Sequence, residues 1–351
     1  MPRQLRCLYV QDDIAPHFTE MLFGAMEELS LGDPWDLTTD IGPVIDHDAE
    51  AGIRAHIETA RRDGRLLRQL SRPKGGHFIA PAVIRVKGIA DLGREIFGPV
   101  LHIATFKSED LPKVVKDINA TGYGLTFGLH TRIDNRVQEV CEALNVGNIY
   151  VNRNQIGAVV GSQPFGGEGL SGTGPKAGGP EYLLRFAANP ARPEAPPAKD
   201  AANPDLIRNA LRVAVGAGKP LAATDLPGPT GESNRLSLYP RAPFLCMGPG
   251  AEAAHEQAAI VRALGGPAVE VPGRLPPEVL TSIPGFSGVI WWGSPEMARS
   301  FALALAARQG PILPLITGTP DRAHVSLERH VCVDTTASGG NAALLAEAGN
   351  A

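Results

Sequence analysis

The sequence predicts an α/β fold. Segments rich in branched apolar residues, such as residues 100–106 and 244–247, alternate with segments of helical character, such as residues 251–264. Strands that alternate with helices of about 10–15 residues are typical of α/β proteins. A run of proline and alanine at residues 188–204 separates two such series, so we expect two α/β parts joined by an extended linker.

The first half of the chain is expected to alternate helices with short strands. Asp12 is a suitable N-cap for the first helix, because its carboxylate can accept hydrogen bonds from free backbone amides. Gly64 is expected just after the second helix, where a left-handed residue is common. The helices are predicted at residues 12–29, 48–62, from Ser108 onward (with Leu111, Val114, Val115 and Ile118 buried) and 135–144, and the strands at 78–86, 100–106 and 148–152.

The part after the linker is expected to form a small parallel, Rossmann-like sheet. Its apolar runs are short, and each is followed by a segment with helical spacing of apolar residues, which indicates crossover connections. The strands are predicted at residues 244–247, 268–271, 289–292 and 312–316, and the helices at 251–264 and 295–308.

Composition excludes several classes of protein. The 351 residues are 43% hydrophobic and carry a formal net charge of −4, which favours neither a nucleic-acid surface nor a disordered acidic tail. The four cysteines lie far apart without a C-x-x-C pair, so disulfide bonds and a zinc site are not expected. No apolar run approaches the roughly 20 residues that cross a bilayer, and no signal peptide is evident. We expect a cytoplasmic protein without a metal site.

Residues 95–100, Glu-Ile-Phe-Gly-Pro-Val, place a carboxylate and an aromatic ring two positions apart before a turn and an apolar strand. Side chains at i and i+2 of an extended segment face the same way. Glu95 could accept hydrogen bonds from vicinal hydroxyls, and Phe97 could pack on a heterocycle or sugar. The residue types alone favour a solvated glutamate and a core phenylalanine.

Glycine is frequent between residues 147 and 179, too frequent for regular helices and strands. Such a segment suits a loop whose backbone approaches a ligand or another strand closely, but it also suits a flexible surface loop. The residue types leave these two interpretations open.

The order of these motifs resembles the aldehyde dehydrogenase family. Residues 95–100 are similar to the signature that this family carries downstream of its nucleophile, and residues 32–34 and 40–45 resemble its G-D-P … G-P stretch. The resemblance implies that Glu95 binds the nicotinamide-side ribose of NAD and that Phe97 lines the same pocket.

The glycine-rich segment narrows the resemblance to the glutamate-semialdehyde (pyrroline-5-carboxylate) dehydrogenase branch. The loop that contains Gly157 and Ala158 would anchor the α-carboxylate and α-amino group of L-glutamate γ-semialdehyde, and Phe165 would pack beside the aldehyde chain. The implied reaction is the NAD-dependent oxidation of the semialdehyde to glutamate in proline catabolism.

Residues 226–234 and 331–342 resemble the end of the proline utilization A family, which joins this dehydrogenase to an FAD-dependent proline dehydrogenase. FAD would belong to that other part. The resemblance implies homo-oligomers and four regions: a partial catalytic domain with an oligomerisation hairpin near residues 180–186 (1–187), a linker (188–204), a Rossmann-like domain (205–330) and a closing tail (331–351).

No catalytic residue can be assigned. The family forms a thiohemiacetal on a cysteine thiolate, and alignment of residues 5–10 puts that position at Pro2. Cys7 is expected to be a buried strand residue, and Cys141, Cys246 and Cys332 also lie in apolar surroundings. We expect the general base, the oxyanion donor and the preceding NAD-binding domain to lie upstream of Met1, so that the chain alone is inactive.

A different interpretation concerns residues 248–253, Gly-Pro-Gly-Ala-Glu-Ala, which fit the G-x-G-x-x-A dinucleotide fingerprint between a strand and a helix. Glu270 lies at the end of the next strand, where a ribose-binding acid is expected. Pro249, however, removes one amide from the turn. The alternatives are therefore an NAD-binding module or a purely structural assembly element.

Overall fold

The computed structural model describes residues 5–155, 159–190, 192, 194–196, 198, 200–214 and 218–336. The chain forms two compact units, Met1–Thr121 (the first unit) and Gly122–Ala351 (the second unit). The predicted domain bounds at residues 187, 204 and 330 stay a prediction. Within the described ranges, no helix is long and apolar enough to cross a membrane.

The first unit is built on one four-stranded sheet. The order of its strands is β1-β4-β3-β2, and only β2 runs antiparallel to its neighbour. Apolar side chains of α2, including Ile53 and Ile57, pack on the sheet with Ile84 and Val100. The elements are β1 (Leu8–Gln11), α1 (Ala15–Glu27), α2 (His47–Arg62), β2 (Leu66–Gln69), β3 (Ala82–Arg85), β4 (Val100–Phe106) and α3 (Leu111–Ala120).

The end of one predicted helix is confirmed, and the start of another is wrong. The Asp46 carboxylate caps α2 by accepting a hydrogen bond from the Ala49 amide at 2.8 Å, and Gly64 follows the helix with φ +67°, as predicted. Asp12 does not cap α1. Its amide donates to the Phe106 carbonyl at 2.9 Å and so continues the β1–β4 pairing, which delays the helix until Ala15.

The strand predicted at residues 78–86 is shorter than expected. Pro81 has no amide hydrogen, so the ladder with β4 begins at Ala82. On α3 the predicted face is confirmed for Val114, Val115 and Ile118, which are buried, whereas Leu111 is half-buried.

The second unit contains a mixed sheet and a parallel sheet. Its elements are β5 (Tyr123–Gly124), β6 (Thr126–Leu129), α4 (Asp134–Ala143), β7 (Asn148–Val151), β8 (Glu168–Gly169), α5 (Pro204–Val213), β9 (Ala222–Leu226), β10 (Glu232–Pro240), β11 (Phe244–Cys246), α6 (Gly250–Ala263), β12 (Ala268–Glu270), α7 (Pro277–Leu280), β13 (Gly288–Ile290), α8 (Pro295–Ala306), β14 (Leu315–Ile316), α9 (Arg322–Val325) and β15 (Ser326–Asp334). Strands β5 and β8 form a separate two-stranded pair.

The mixed sheet has the order β6-β7-β15-β10-β9 and joins strands from both sides of the proline-rich run. Strand β15 pairs in parallel with β7 and antiparallel with β10. Residues 331–334, which the sequence placed in the closing tail, belong to β15, while residues 337–351 lie outside the described residues. Residues 330–333 pair with β7, and alternate residues of β15 are buried against the rest of the sheet, so this segment is a strand inside the sheet.

The parallel sheet has the order β12-β11-β13-β14, and α6, α7 and α8 connect its strands. The predicted α/β fold and its parallel sheet are therefore present. Helix α5, which the sequence did not predict, buries Ile207 and Leu211 against the same core. Where a hairpin was expected at residues 180–186, Tyr182–Phe186 form a 3₁₀ helix with i→i+3 bonds such as Ala187 amide to Leu184 carbonyl.

Candidate functional site

The segment around Glu95 presents two of the predicted site residues on one face. Glu95 is exposed and Phe97 is 58% exposed, while Ile96 between them is buried in the core of the first unit. Within the described residues the Glu95 carboxylate makes no hydrogen bond. An exposed carboxylate with an aromatic ring beside it suits ribose hydroxyls and a flat heterocycle, so both residues fit the group that the sequence predicted for them.

Helix α2 fixes the backbone of this segment. A Cβ placed on Gly98 would lie 2.4 Å from Ile53 Cδ1, so glycine lets the chain pass this close to the helix without displacing that side chain. The Val100 amide then donates to the Gly98 carbonyl at 2.7 Å, which turns the chain into β4. Glu95 and Phe97 thus lie directly before a tight turn that packs against α2.

A pair of histidines lies beside Glu95. His102 and Glu95 line one shallow hollow, which encloses no room for a water molecule. The Nε2 atoms of His56 and His102 are 2.8 Å apart, and His102 Nδ1 donates to the Arg6 carbonyl at 3.2 Å. That bond leaves His102 Nε2 as the acceptor from His56. Burial lowers the pKa of His102 to about 4, so its ring is neutral at pH 7.

None of the four cysteines is set up as a thiolate. Burial raises the pKa of Cys7, Cys141 and Cys246 to about 12 and that of Cys332 to about 11. A nucleophilic cysteine needs a lowered pKa, because the thiolate is the reactive form.

The predicted substrate residues lie in the second unit. Gly157 and Ala158 fall outside the described residues, so their role stays a prediction. Phe165 is half-buried, and it exchanges two backbone hydrogen bonds of 2.9 Å with Ala177. That pairing fixes its backbone between the two ends of the glycine-rich segment.

Several described glycines of this segment allow close backbone packing. A Cβ on Gly147 would lie 2.0 Å from the Gly166 carbonyl oxygen, and one on Gly172 would lie 2.8 Å from that of Gly167. Of the two interpretations left open by the sequence, close approach to another backbone segment describes these glycines.

Sequence reasoning missed a buried polar cluster that anchors the segment to the mixed sheet. Lys176 is 2% exposed, its ammonium donates to Asn148 Oδ1 at 2.8 Å, and its amide donates to Glu328 Oε2 at 2.6 Å. Burial lowers the pKa of Lys176 to about 7. The burial of Lys176 depends on partners from other parts of the chain, so residues 175–177 carry no local pattern that predicts it.

Arg153 and Glu232 form a second missed contact. They make an ion pair between the end of β7 and the start of β10, and Gln163 Nε2 donates to the other Glu232 oxygen at 2.8 Å. Cys332 Sγ lies 3.1 Å from Arg153 Nη1. These contacts join the glycine-rich segment to β10 and β15, which lie between 69 and 179 residues further along the chain.

The fingerprint at residues 248–253 is closed. The Gly248 amide donates to Gln257 Oε1 at 2.9 Å, and Gln257 Nε2 donates back to the Gly248 carbonyl at 2.8 Å. Pro249 has no amide hydrogen. The Glu270 carboxylate pairs with Arg262 at 2.8 Å and with His255 at 3.3 Å. Neither the turn amide nor the acid is free for a dinucleotide, so these residues do not fit NAD.

Residues 192, 195 and 196 of the linker lie beside the crevice that a dinucleotide would need. In a parallel sheet the ligand lies at the carboxyl ends of the strands where their order reverses, here between β11 and β13. The Ala195 amide donates to the Trp292 carbonyl at 3.1 Å, and the Arg192 guanidinium lies 4.7 Å from the Trp292 ring centre. A Cβ on Gly250 would lie 3.6 Å from the Pro196 carbonyl oxygen.

Comparison with known families and proteins agrees with the motifs. The sequence pattern of the aldehyde dehydrogenase family matches residues 4–189. The bifunctional protein PutA of Escherichia coli is 40% identical over 97% of this chain and 30% of its own length. A 1-pyrroline-5-carboxylate dehydrogenase of Geobacillus sp. (strain WCH70) is 37% identical over 50% of this chain and 34% of its own length. The chain thus spans about a third of the curated relatives that it matches.

Solved structures show the same likeness. A mutant of Bradyrhizobium japonicum proline utilization A superposes with a TM-score of 0.51 at 50% identity, over 52% of this chain and 19% of the other. Proline utilization A of Corynebacterium freiburgense superposes over 94% of this chain and 35% of its own, with a TM-score of 0.65 at 24% identity, which shows a common fold.

Proposed function

The chain belongs to the aldehyde dehydrogenase family, and from this premise we propose that it is part of an NAD-dependent L-glutamate γ-semialdehyde dehydrogenase of the kind found in proline utilization A. The observation that carries the proposal is the exposed pair Glu95 and Phe97 directly before the turn at Gly98. The relatives named bifunctional PutA and 1-pyrroline-5-carboxylate dehydrogenase support the choice of substrate.

In this proposal Glu95 accepts hydrogen bonds from the ribose hydroxyls, and Phe97 packs against the cofactor beside it. Bound NAD supplies the acceptor for the aldehyde hydride. Gly157 and Ala158 bind the charged α-carbon groups of the semialdehyde through their backbone, and Phe165 excludes water from the aldehyde chain.

We further propose that the chain is catalytically incomplete by itself. The thiol pKa values of about 11 to 12 support this, since each cysteine stays protonated at neutral pH. Homo-oligomer formation is part of the same proposal, supported by Leu183 and Phe186 of the 3₁₀ segment, each of which is 76% exposed.

The test is a chimera in which residues 5–336 replace the matching part of Escherichia coli PutA. We expect the purified 351-residue chain to form no NADH from glutamate semialdehyde above the blank, and the chimera to form it. A Cys7→Ala variant should change neither result.

Two outcomes would contradict the proposal. A folded chimera that oxidises other aldehydes but not glutamate semialdehyde would refute the substrate. Activity of the isolated chain would refute its incompleteness, and loss of that activity in Cys7→Ala would identify Cys7 as the nucleophile.

A further inference from the structure

A second cavity lies in the second unit, and none of its lining residues is proposed above to bind NAD or the semialdehyde. Its volume is about 490 Å³, within the range of about 300–1,000 Å³ that is usual for small-molecule sites. The lining includes Thr173, Arg185, Arg241, Leu315, Thr317 and His324. Thr317 directly follows β14, so the cavity opens at the carboxyl end of a parallel strand, where α/β proteins commonly bind ligands.

Arg241 is a half-buried cation that faces this cavity. Its Nε donates to the Ser326 carbonyl at 2.9 Å, and its Nη2 donates to the Thr173 carbonyl at 2.8 Å. These two bonds fix the guanidinium plane and leave N–H groups for a further acceptor. No carboxylate within the described ranges forms an ion pair with Arg241, although buried charges are ordinarily paired.

The carboxylates of Glu168 and Glu328 act on Arg241 electrostatically, but neither forms an ion pair with it. Both oxygens of Glu168 accept from Arg329, at 2.7 and 3.1 Å, and Glu328 Oε2 accepts from the Lys176 amide. Burial, and then the charge of Arg185, lowers the pKa of Arg241 to about 10. The two guanidinium groups therefore repel each other across the cavity.

Arg185 is also held in place. Its Nη1 donates to His324 Nε2 at 2.9 Å, and His324 Nδ1 lies 2.6 Å from Asp321 Oδ1. The Asp321 carboxylate thereby fixes the imidazole with its proton on Nδ1, so that Nε2 accepts from Arg185. Two cations that are positioned in advance bind an anion with little loss of conformational entropy.

One wall of the cavity is apolar and another comes from the linker. Ile312, Pro314, Leu315 and Ile316 form the apolar wall. Asn189 of the linker also lines the cavity, and its Nδ2 donates to the Thr319 carbonyl at 3.1 Å. A ligand that fits this lining carries a charged head for the two arginines and a short carbon chain for the apolar wall.

We propose that this cavity binds a small organic anion, with a carboxylate or phosphate group between Arg185 and Arg241 and a short apolar body against Ile312 and Leu315. Guanidinium groups recognise either head group through paired hydrogen bonds. Ligand binding relieves the repulsion between the two arginines.

The test titrates the full 351-residue chain with valerate, butyl phosphate and butanol in a calorimeter. We expect saturable binding of at least one anion and none of butanol. Arg241→Gln should weaken the binding about tenfold or more, because hydrogen bonds to charged groups are the strong ones. Arg299→Gln, an exposed arginine outside the cavity, should leave it unchanged. Binding of only one anion would identify the head group.

Arg185→Gln provides a second variant in case Arg241→Gln does not fold, since Arg185 is exposed. It should weaken binding severalfold while circular dichroism stays unchanged. The proposal is wrong if neither anion binds, if butanol binds as well as the anions, or if the folded arginine variants bind like the wild type.

Discussion

Glu95 and Glu270 each follow the pattern of a ribose-binding acid, but their surroundings are opposite. Glu95 is exposed and makes no hydrogen bond within the described residues, and the turn after it leaves its face open. Glu270 pairs with Arg262 and His255, and Ala195 of the linker donates to the Trp292 carbonyl beside the strand ends. The same residue type at a similar motif position is available to a ligand in one case and is part of the packing in the other. Motif spacing locates a candidate, and the neighbouring side chains decide its role.

The largest expected effect is a loss of stability when the closed turn at residues 248–253 is deprived of Gln257. Gln257→Leu keeps the size of a fully buried side chain but removes both hydrogen bonds to Gly248. The Gly248 carbonyl still accepts from the Trp292 amide at 2.8 Å, so the Gly248 amide is the buried backbone group left without a partner, which should lower the free energy of unfolding by about 1–3 kcal/mol. Urea unfolding followed by tryptophan fluorescence measures this.

The matched control is Gln138→Leu on the exposed face of α4, which should change the free energy of unfolding by less than about 0.5 kcal/mol. Equal effects of the two variants would show that Gln257 does not hold the turn, and the fingerprint would then have to be considered open.

The next largest effect is expected on NAD use, when Glu95 is replaced. In the chimera, Glu95→Gln should raise the KM for NAD about tenfold or more, because a hydrogen bond to a charged group contributes roughly 1.5–3 kcal/mol. Initial rates at varied NAD concentration measure it. Glu109→Gln, another exposed glutamate of the first unit, is the control. An unchanged KM in Glu95→Gln would make Glu95 a solvated surface residue.

Acid should affect the two regions in different pH ranges. His102, beside Glu95, has its pKa lowered from 6.5 to about 4. Between these values the unfolded chain binds a proton that the folded chain does not, so stability falls by up to about 1.4 kcal/mol per pH unit below 6.5. Hydrogen bonds from Arg262 and His255 lower the pKa of Glu270 despite its burial, so its stabilisation is retained above pH 4.5 and lost only in stronger acid.

Urea unfolding of the wild type and of His102→Gln at pH 6.5 and 5.5 tests this. The wild type should lose more stability, by up to about 1.4 kcal/mol, than the variant. His47→Gln, which replaces an exposed histidine of the same unit, should behave like the wild type. Identical losses in wild type and His102→Gln would mean that His102 titrates normally.

Local signals were predictable from the sequence. The strand Val100–Phe106 and the helix that ends before Gly64 follow from runs of apolar residues and from helix-end chemistry within a few positions. The exposed pair Glu95 and Phe97 followed from their spacing and from family resemblance. These features depend on neighbours in the chain.

Features made by distant segments were not predictable. Strand β15 exists because Val331 lies beside Ile149, about 180 residues away. Lys176 is buried because Asn148 of β7 and Glu328 of β15 accept its hydrogen bonds. The closure of the 248–253 turn depends on Gln257 and on the linker, and a fingerprint pattern includes neither. Long-range pairing therefore decided what the local patterns could not.

The smallest expected effect is at Glu270 itself. Glu270→Gln removes ion pairs whose members are 32% (Glu270), 49% (Arg262) and 73% (His255) exposed at the side chain. Solvent screens such pairs, so the free energy of unfolding should fall by only about 0–1 kcal/mol, similar to Glu139→Gln on the exposed face of α4. Calorimetric titration of the 351-residue chain with NAD should show no binding to this crevice, and hence no change in Glu270→Gln. Saturable binding that Glu270→Gln abolishes would show that the linker leaves the crevice, and the contrast between the two glutamates would no longer hold.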